Sequence, residues 1–138
     1  MNERNSRVAA ALQNLGIEPA IRILDEDAKT AVAAARQLGC EVGAIANSLV
    51  FACDGEPLLV MASGASRVDT DLLAASLRAG EISKATPQLV RTATGQAIGG
   101  VAPTGHPRRL RTLVDETLSR YPVIWTAAGT ADSVMPLT

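Results

Sequence analysis

Along the first fifteen residues the apolar side chains Val8, Ala11, Leu12 and Leu15 recur at i, i+3, i+4 and i+7, the spacing of one buried helical face, and Gly16 ends the pattern. This predicts a first helix over residues 3–15. Behind Pro19 the β-branched run Ile21-Arg22-Ile23-Leu24 predicts a strand. The acidic cluster Asp25-Glu26-Asp27 then marks a helix start, because carboxylates there meet unpaired amides and the positive end of the helix dipole. Ala28, Ala31, Val32, Ala35 and Leu38 line one face of this second helix as far as Gly39.

Two apolar runs, Ser48 to Cys53 and Pro57 to Ala62, flank Asp54-Gly55-Glu56. Asp-Gly readily takes the positive φ of a tight turn, so this is the strongest hairpin signal in the chain. Both arms are apolar almost throughout, which predicts strands covered on two faces. Asp69 predicts a helix cap ahead of the Leu72, Leu73, Leu77 stripe, with Gly80 closing that helix, and Thr86-Pro87 predicts a further helix start. Arg109 to Val114 alternates like a half-buried strand, Asp115 to Tyr121 fits one or two helical turns, and Val123 to Ala127 is apolar enough for a strand. Val134 to Leu137 fits a last edge strand, where a proline is allowed. Strands and helices interleave, and the hairpin enforces antiparallel pairing, so the expected class is mixed α/β.

At 138 residues the chain suits a single domain, residues 1–138, and 47% hydrophobic against 20% charged residues excludes a disordered composition. No run approaches the ~18 apolar residues of a membrane span, and the polar N-terminus lacks a signal peptide's apolar core, which predicts a cytoplasmic chain without a membrane partner. Cys40 and Cys53 lack C-x-x-C spacing and are expected as free, packed thiols. With only Phe51, Tyr121 and Trp125 as rings the chain cannot build a stacking platform for single strands, and a net charge of −1 argues against coating DNA. Charge is uneven, however. Residues 1–60 hold five basic against eight acidic residues, while residues 61–111 hold seven against three, leaving room for an anion site in the second half.

The segment TGQAIGGVAPTGHP, Thr94 to Pro107, carries four glycines and two prolines in fourteen residues. It lacks the Lys-Ser or Lys-Thr of a phosphate-binding loop, and no nucleophile elbow, zinc helix or dinucleotide fingerprint occurs elsewhere. A single histidine, His106, rules out a multi-histidine metal site and, beside Gly and Pro, fits a turn or surface residue better than a catalytic one. Two readings of the loop stand open. Either its glycines only permit tight turns, or Gly99-Gly100-Val101-Ala102-Pro103 presents main-chain groups to a carbonyl or sugar hydroxyl, where aimed amides stabilise a developing oxyanion.

Four segments together resemble the YbaK-like aminoacyl-tRNA deacylases, relatives of the editing domain of bacterial prolyl-tRNA synthetases. They are Cys40 to Phe51, then Ser63-Gly64, then Thr94-Gly95 with Gly99 to His106, then Ala127 to Thr130, in matching order from about residue 28 onward. The resemblance implies a mixed, partly barrel-like sheet surrounded by helices, with a pocket between the hairpin strand and the G-x-x-x-P loop. It implies hydrolysis of the ester joining a small mischarged amino acid to tRNA, the proline tRNA foremost, with no metal or organic cofactor. The acceptor end of aminoacyl-tRNA is the implied partner, and prolyl-tRNA synthetase a further one.

Carried over by position, Asn47, Gly99 and Gly100 fall at the reacting ester, and Ser48, Ser63, Gly64, Val101, Ala102, Pro103, His106 and Asp132 border the substrate. The family usually has lysine where this chain has Asn47. Asparagine offers two donors and an acceptor but no charge, and losing a charged hydrogen bond costs about 1.5–3 kcal/mol, or about ten- to a hundredfold. The competing reading is a binding module of the same fold, catalytically weakened, that senses an aminoacyl end, a nucleotide or an amino-acid derivative. The chain's two lysines, Lys29 and Lys84, leave open whether either supplies the missing charge.

Overall fold

In the computed structural model, which describes residues 3–24, 30–96, 100–107, 110–130 and 132–138, every predicted apolar run within those limits forms an element. The chain runs α1 (Glu3–Asn14), β1 (Arg22–Ile23), α2 (Ala31–Leu38), β2 (Ile45–Cys53), β3 (Glu56–Ser63), α3 (Thr70–Leu77), β4 (Ile82–Lys84), α4 (Pro87–Thr94), β5 (Arg111–Val114), β6 (Ile124–Ala127) and β7 (Ser133–Leu137). Short 3-10 helices occupy Val42–Ala44 and Glu116–Arg120. The acidic start expected for α2 at Asp25-Glu26-Asp27 falls outside the described residues. Within them the cap is Thr30, whose hydroxyl accepts from the Ala33 amide.

The hairpin of β2 and β3 is the centre of the sheet, whose order is β1-β7-β6-β2-β3-β5, with β4 beside β2. Asp54 and Gly55 both have positive φ, 50° and 86°, the backbone of a type I′ turn whose twist matches the strands it joins. The Asp54 carboxylate accepts from the amides of Gly80 and Glu81 at 3.0 and 2.7 Å, which holds its carboxyl below the usual range and ties the turn to the start of β4. That clasp also explains where α3 ends. The helix stops at Leu77 with Arg78 in the left-handed conformation, two residues before the glycine expected to close it, and Gly80 instead delivers its amide to Asp54.

Both faces of the hairpin are covered, as its apolar arms require. On one face Ala46, Val50, Leu59 and Met61 pack with Ala85, Val90, Val101 and Leu118. On the other Phe51, Leu58, Val60 and Ala62 pack with Ile82 and with Leu73 and Leu77 of α3. β7 is not the edge expected for it, since it pairs with β6 along its length and with β1 at Ser133 and Val134. Pro136 lies beyond that short β1 pairing, where β7 has an unpaired side that tolerates a residue without an N–H. Among the described residues no helix is long and apolar enough to cross a membrane.

Candidate functional site

β2 is paired with β3 from Ala46 to Cys53, but its other side is interrupted. There β6 meets it only at Ile45 and Ala46, and β4 only from Phe51 to Cys53. A cavity of about 770 Å³ opens at this interruption. Asn47, Ser48, Leu49 and Val50 form its spine, Ile82 to Ala85 and Trp125 to Ala127 its two sides, Thr30, Ala31 and Ala34 one end, and Val90 and Val101 a wall. Because the gap cuts through the sheet, the cavity touches both faces. Asn47 and Lys84 share the face of Phe51, opposite which Lys84 sits in register, whereas Ser48 shares the face of Val50 and Val101.

Of the residues placed at the ester or substrate by sequence, the structure brings Asn47, Ser48 and Val101 to this cavity. Gly99 lies outside the described residues. Gly100 and Ala102 are buried and do not line it: the Gly100 carbonyl accepts from the Gly129 amide at 2.9 Å, and the Ala102 amide donates to Gln96 Oε1 at 2.8 Å. These two main-chain groups of the loop thus serve its own architecture. Ser63 is fully buried and donates to the Gly43 carbonyl, and a Cβ on Gly64 would come within 2.5 Å of the Val42 carbonyl, so both hold β3 against the first 3-10 helix. Asp132 accepts from the Thr130 hydroxyl at 2.7 Å in the turn before β7. Pro103 and His106 border a different, more open depression of similar volume beside Ala11 of α1.

His106 braces the loop through a 2.8 Å contact between Nε2 and the Ala102 carbonyl, which the neutral ring satisfies by donating. Burial pushes its pKa below the ordinary 6.5, outweighing the carbonyl, which favours the cation. The unfolded chain therefore takes the proton first, so the stability tied to His106 is present above the ordinary value and falls away as pH drops through it. The midpoint of thermal unfolding is expected to fall between pH 7 and 5.5, and the His106→Gln variant to show a flatter profile over that range.

Two residues that the sequence did not place at the ester or substrate, Lys84 and Thr126, also line the cavity. Lys84 is the sole ionisable side chain among the described residues that line the cavity, and it arrives on β4, a strand too short to leave a pattern. Thr126 is 1% exposed, and its hydroxyl has no hydrogen-bond partner. A buried hydroxyl without a partner costs free energy, so Thr126→Val is expected to raise stability by about 1 kcal/mol in chemical denaturation. Trp125 packs against Ala34, Ala35 and Ile45 and also faces the cavity. Neither cysteine is bridged, and burial pushes the Cys40 thiol up, away from a nucleophilic thiolate.

The lining holds no carboxylate, histidine or cysteine among the described residues, so it presents no side-chain base or strong nucleophile. What its described residues offer is amide and hydroxyl chemistry, an exposed strand edge and one ammonium group.

Comparison with known proteins agrees with this architecture. A solved structure described as a candidate trans-editing enzyme for prolyl tRNA synthetase is 36% identical, with a TM-score of 0.89 over 100% of this chain and 88% of its own. A scaffold used for grafting linear epitopes is 32% identical, with a TM-score of 0.91 and the same coverages. The protein APE2540, at 20% identity and a TM-score of 0.86 over 96% of this chain and 88% of its own, shares the fold. The uncharacterised protein YwhH of Bacillus subtilis (strain 168) is 29% identical over 106 residues, 76% of this chain and 67% of its own length. Residues 25–138 match the model of the aminoacyl-tRNA editing domain, and the chain belongs to that family.

Proposed function

We propose that the protein hydrolyses, in trans and in the cytoplasm, the ester joining a small mischarged amino acid to the terminal adenosine of a tRNA, with proline tRNA as the substrate. The observation that carries this reading is the cavity itself, about 770 Å³, bordered by Asn47, Ser48 and Lys84 and free of acidic side chains among its described residues. An anionic acceptor end enters such a site without repulsion, and the volume lies within the range of small-molecule pockets.

An aminoacyl ester is already activated, so positioning supplies most of what its hydrolysis needs. Water adds to the acyl carbon, main-chain donors bear the developing oxyanion, and the ester C–O bond breaks. The ribose oxygen leaves with the proton that the attacking water gives up, and a carboxylic acid is released. Asn47, half-buried at the cavity, donates and accepts on the ribose, and Lys84 supplies the charge that Asn47 lacks.

A panel of mischarged proline, alanine and cysteine tRNAs tests this. Release of alanine or cysteine well above the spontaneous rate is expected, and no release from any of them would refute it. The uncharged Asn47 favours a second reading, a binding module that has lost catalysis. Asn47→Lys separates the two: on the hydrolase reading it modulates an activity already present, whereas a silent protein that becomes active only with the lysine supports the module. Prolyl-tRNA synthetase is the proposed partner of the full reaction.

A further inference from the structure

The direction of the peptide groups at the interruption of β2 follows from two contacts. The Val50 carbonyl accepts from the Ala85 amide at 3.3 Å on the interrupted side, whereas the Ile45 carbonyl accepts from the Gly64 amide at 2.7 Å on the β3 side. Peptide groups alternate along a strand with a period of two, so the N–H and C=O of Ser48 point, like the Val50 carbonyl, into the gap. Among the described residues no strand meets Ser48 there. Its side chain is engaged elsewhere, the hydroxyl donating to Met61 Sδ at 3.1 Å. What Ser48 presents to the cavity is therefore one main-chain donor and one main-chain acceptor at the spacing of a single strand residue.

Across an antiparallel ladder, residues of a hydrogen-bonded pair exchange both of their main-chain bonds. An aminoacyl ester carries the matching pair, an amine and an acyl carbonyl on one Cα. We infer that the aminoacyl group docks on β2 as a one-residue strand, its amine donating to the Ser48 carbonyl and its acyl oxygen accepting from the Ser48 N–H. This rests on the deacylase reading of the cavity and adds how the substrate is held. Side chains of opposed residues lie on the same face, so the amino acid's own side chain falls beside that of Ser48, against the apolar wall of Val50, Val90 and Val101. The α-amino group is then read for every amino acid, the wall admits small apolar side chains, and the N–H that binds the carbonyl also faces the oxyanion formed when water attacks.

Calorimetric titration with two stable analogues tests the docking: adenosine carrying a 3′-alanylamino group and the same compound with 3′-propionylamino, which lacks only the amine. The alanyl compound is expected to bind at least tenfold tighter, and equal affinities overturn the inference. Ser48→Pro deletes the N–H on a side where no ladder bond is lost. With a thermal transition showing that the variant folds, it is expected to weaken both analogues at least fivefold and to leave their ratio intact, and unchanged affinities overturn the inference as well. Should the variant not fold, the analogue pair on the unaltered protein decides. A protein that prefers the alanyl analogue yet leaves every mischarged tRNA intact keeps the docking and loses the hydrolase reading, whereas binding of neither analogue defeats both.

Discussion

Lys84→Gln is expected to lower the second-order rate of deacylation about tenfold, and Lys84→Glu to lower it further. The lysine is exposed at the cavity mouth, has no ion-pair partner among the described residues, and lies on the face of β2 that also carries Asn47. An exposed pair between fixed side chains is worth less than about 1 kcal/mol, but a charge-assisted hydrogen bond to a bound phosphate reaches roughly 1.5–3 kcal/mol. The lower part of that second range corresponds to about tenfold. Lys84→Arg keeps the charge and is expected to retain most of the rate. The difference between lysine and glutamine should also shrink as salt rises, since screening weakens an exposed charge. Single-turnover assays at two salt concentrations check this, and a glutamine variant as fast as the unaltered protein would remove Lys84 from substrate binding.

Leu59→Ala is expected to cost about 2–5 kcal/mol of stability, the range for removing a fully buried leucine from a packed core. Leu59 is 0% exposed and packs with Ala46, Val50 and Val101 immediately behind the cavity wall. At roughly 3–4 °C per kcal/mol for a chain of this size, the unfolding midpoint should drop by roughly 6–20 °C. Chemical denaturation gives the free energy directly. A loss below about 1 kcal/mol would mean that the hairpin core closes over the vacancy, and the cavity wall would then be softer than the packing indicates.

The hairpin was legible in the sequence because its signals are local and reinforce one another: Asp54-Gly55 dictates the turn, and unbroken apolar arms dictate burial on both faces. The caps at Asp69 and Thr86 were legible for the same reason. β4 was not, because Ile82-Ser83-Lys84 is too short to show a period and becomes a strand only by pairing opposite Phe51, Ala52 and Cys53. The cost of missing it is functional, since β4 brings Lys84 to the cavity and forms one side of the gap.

Asn47 and Ser48 stood out through the resemblance of their segment to a family, yet which of their groups face the cavity depends on pairing with strands far away in the chain. The glycine loop shows the opposite effect. Its composition left tight turns and open main-chain groups equally available, and the Gly100 carbonyl and the Ala102 amide are bound to Gly129 and Gln96, partners a sequence pattern does not register. In the proposed docking, the unpaired edge of β2 offers main-chain groups of the same kind.

Backbone amide NMR with the alanylamino adenosine analogue tests where the acylated ribose sits. A ligand seated at the gap in β2 is expected to shift residues 47–50, Lys84 and Val101 and to leave Thr104, Gly105, His106 and Thr112 unmoved. Shifts confined to that second group, around the depression beside α1, would place the ligand elsewhere and contradict it.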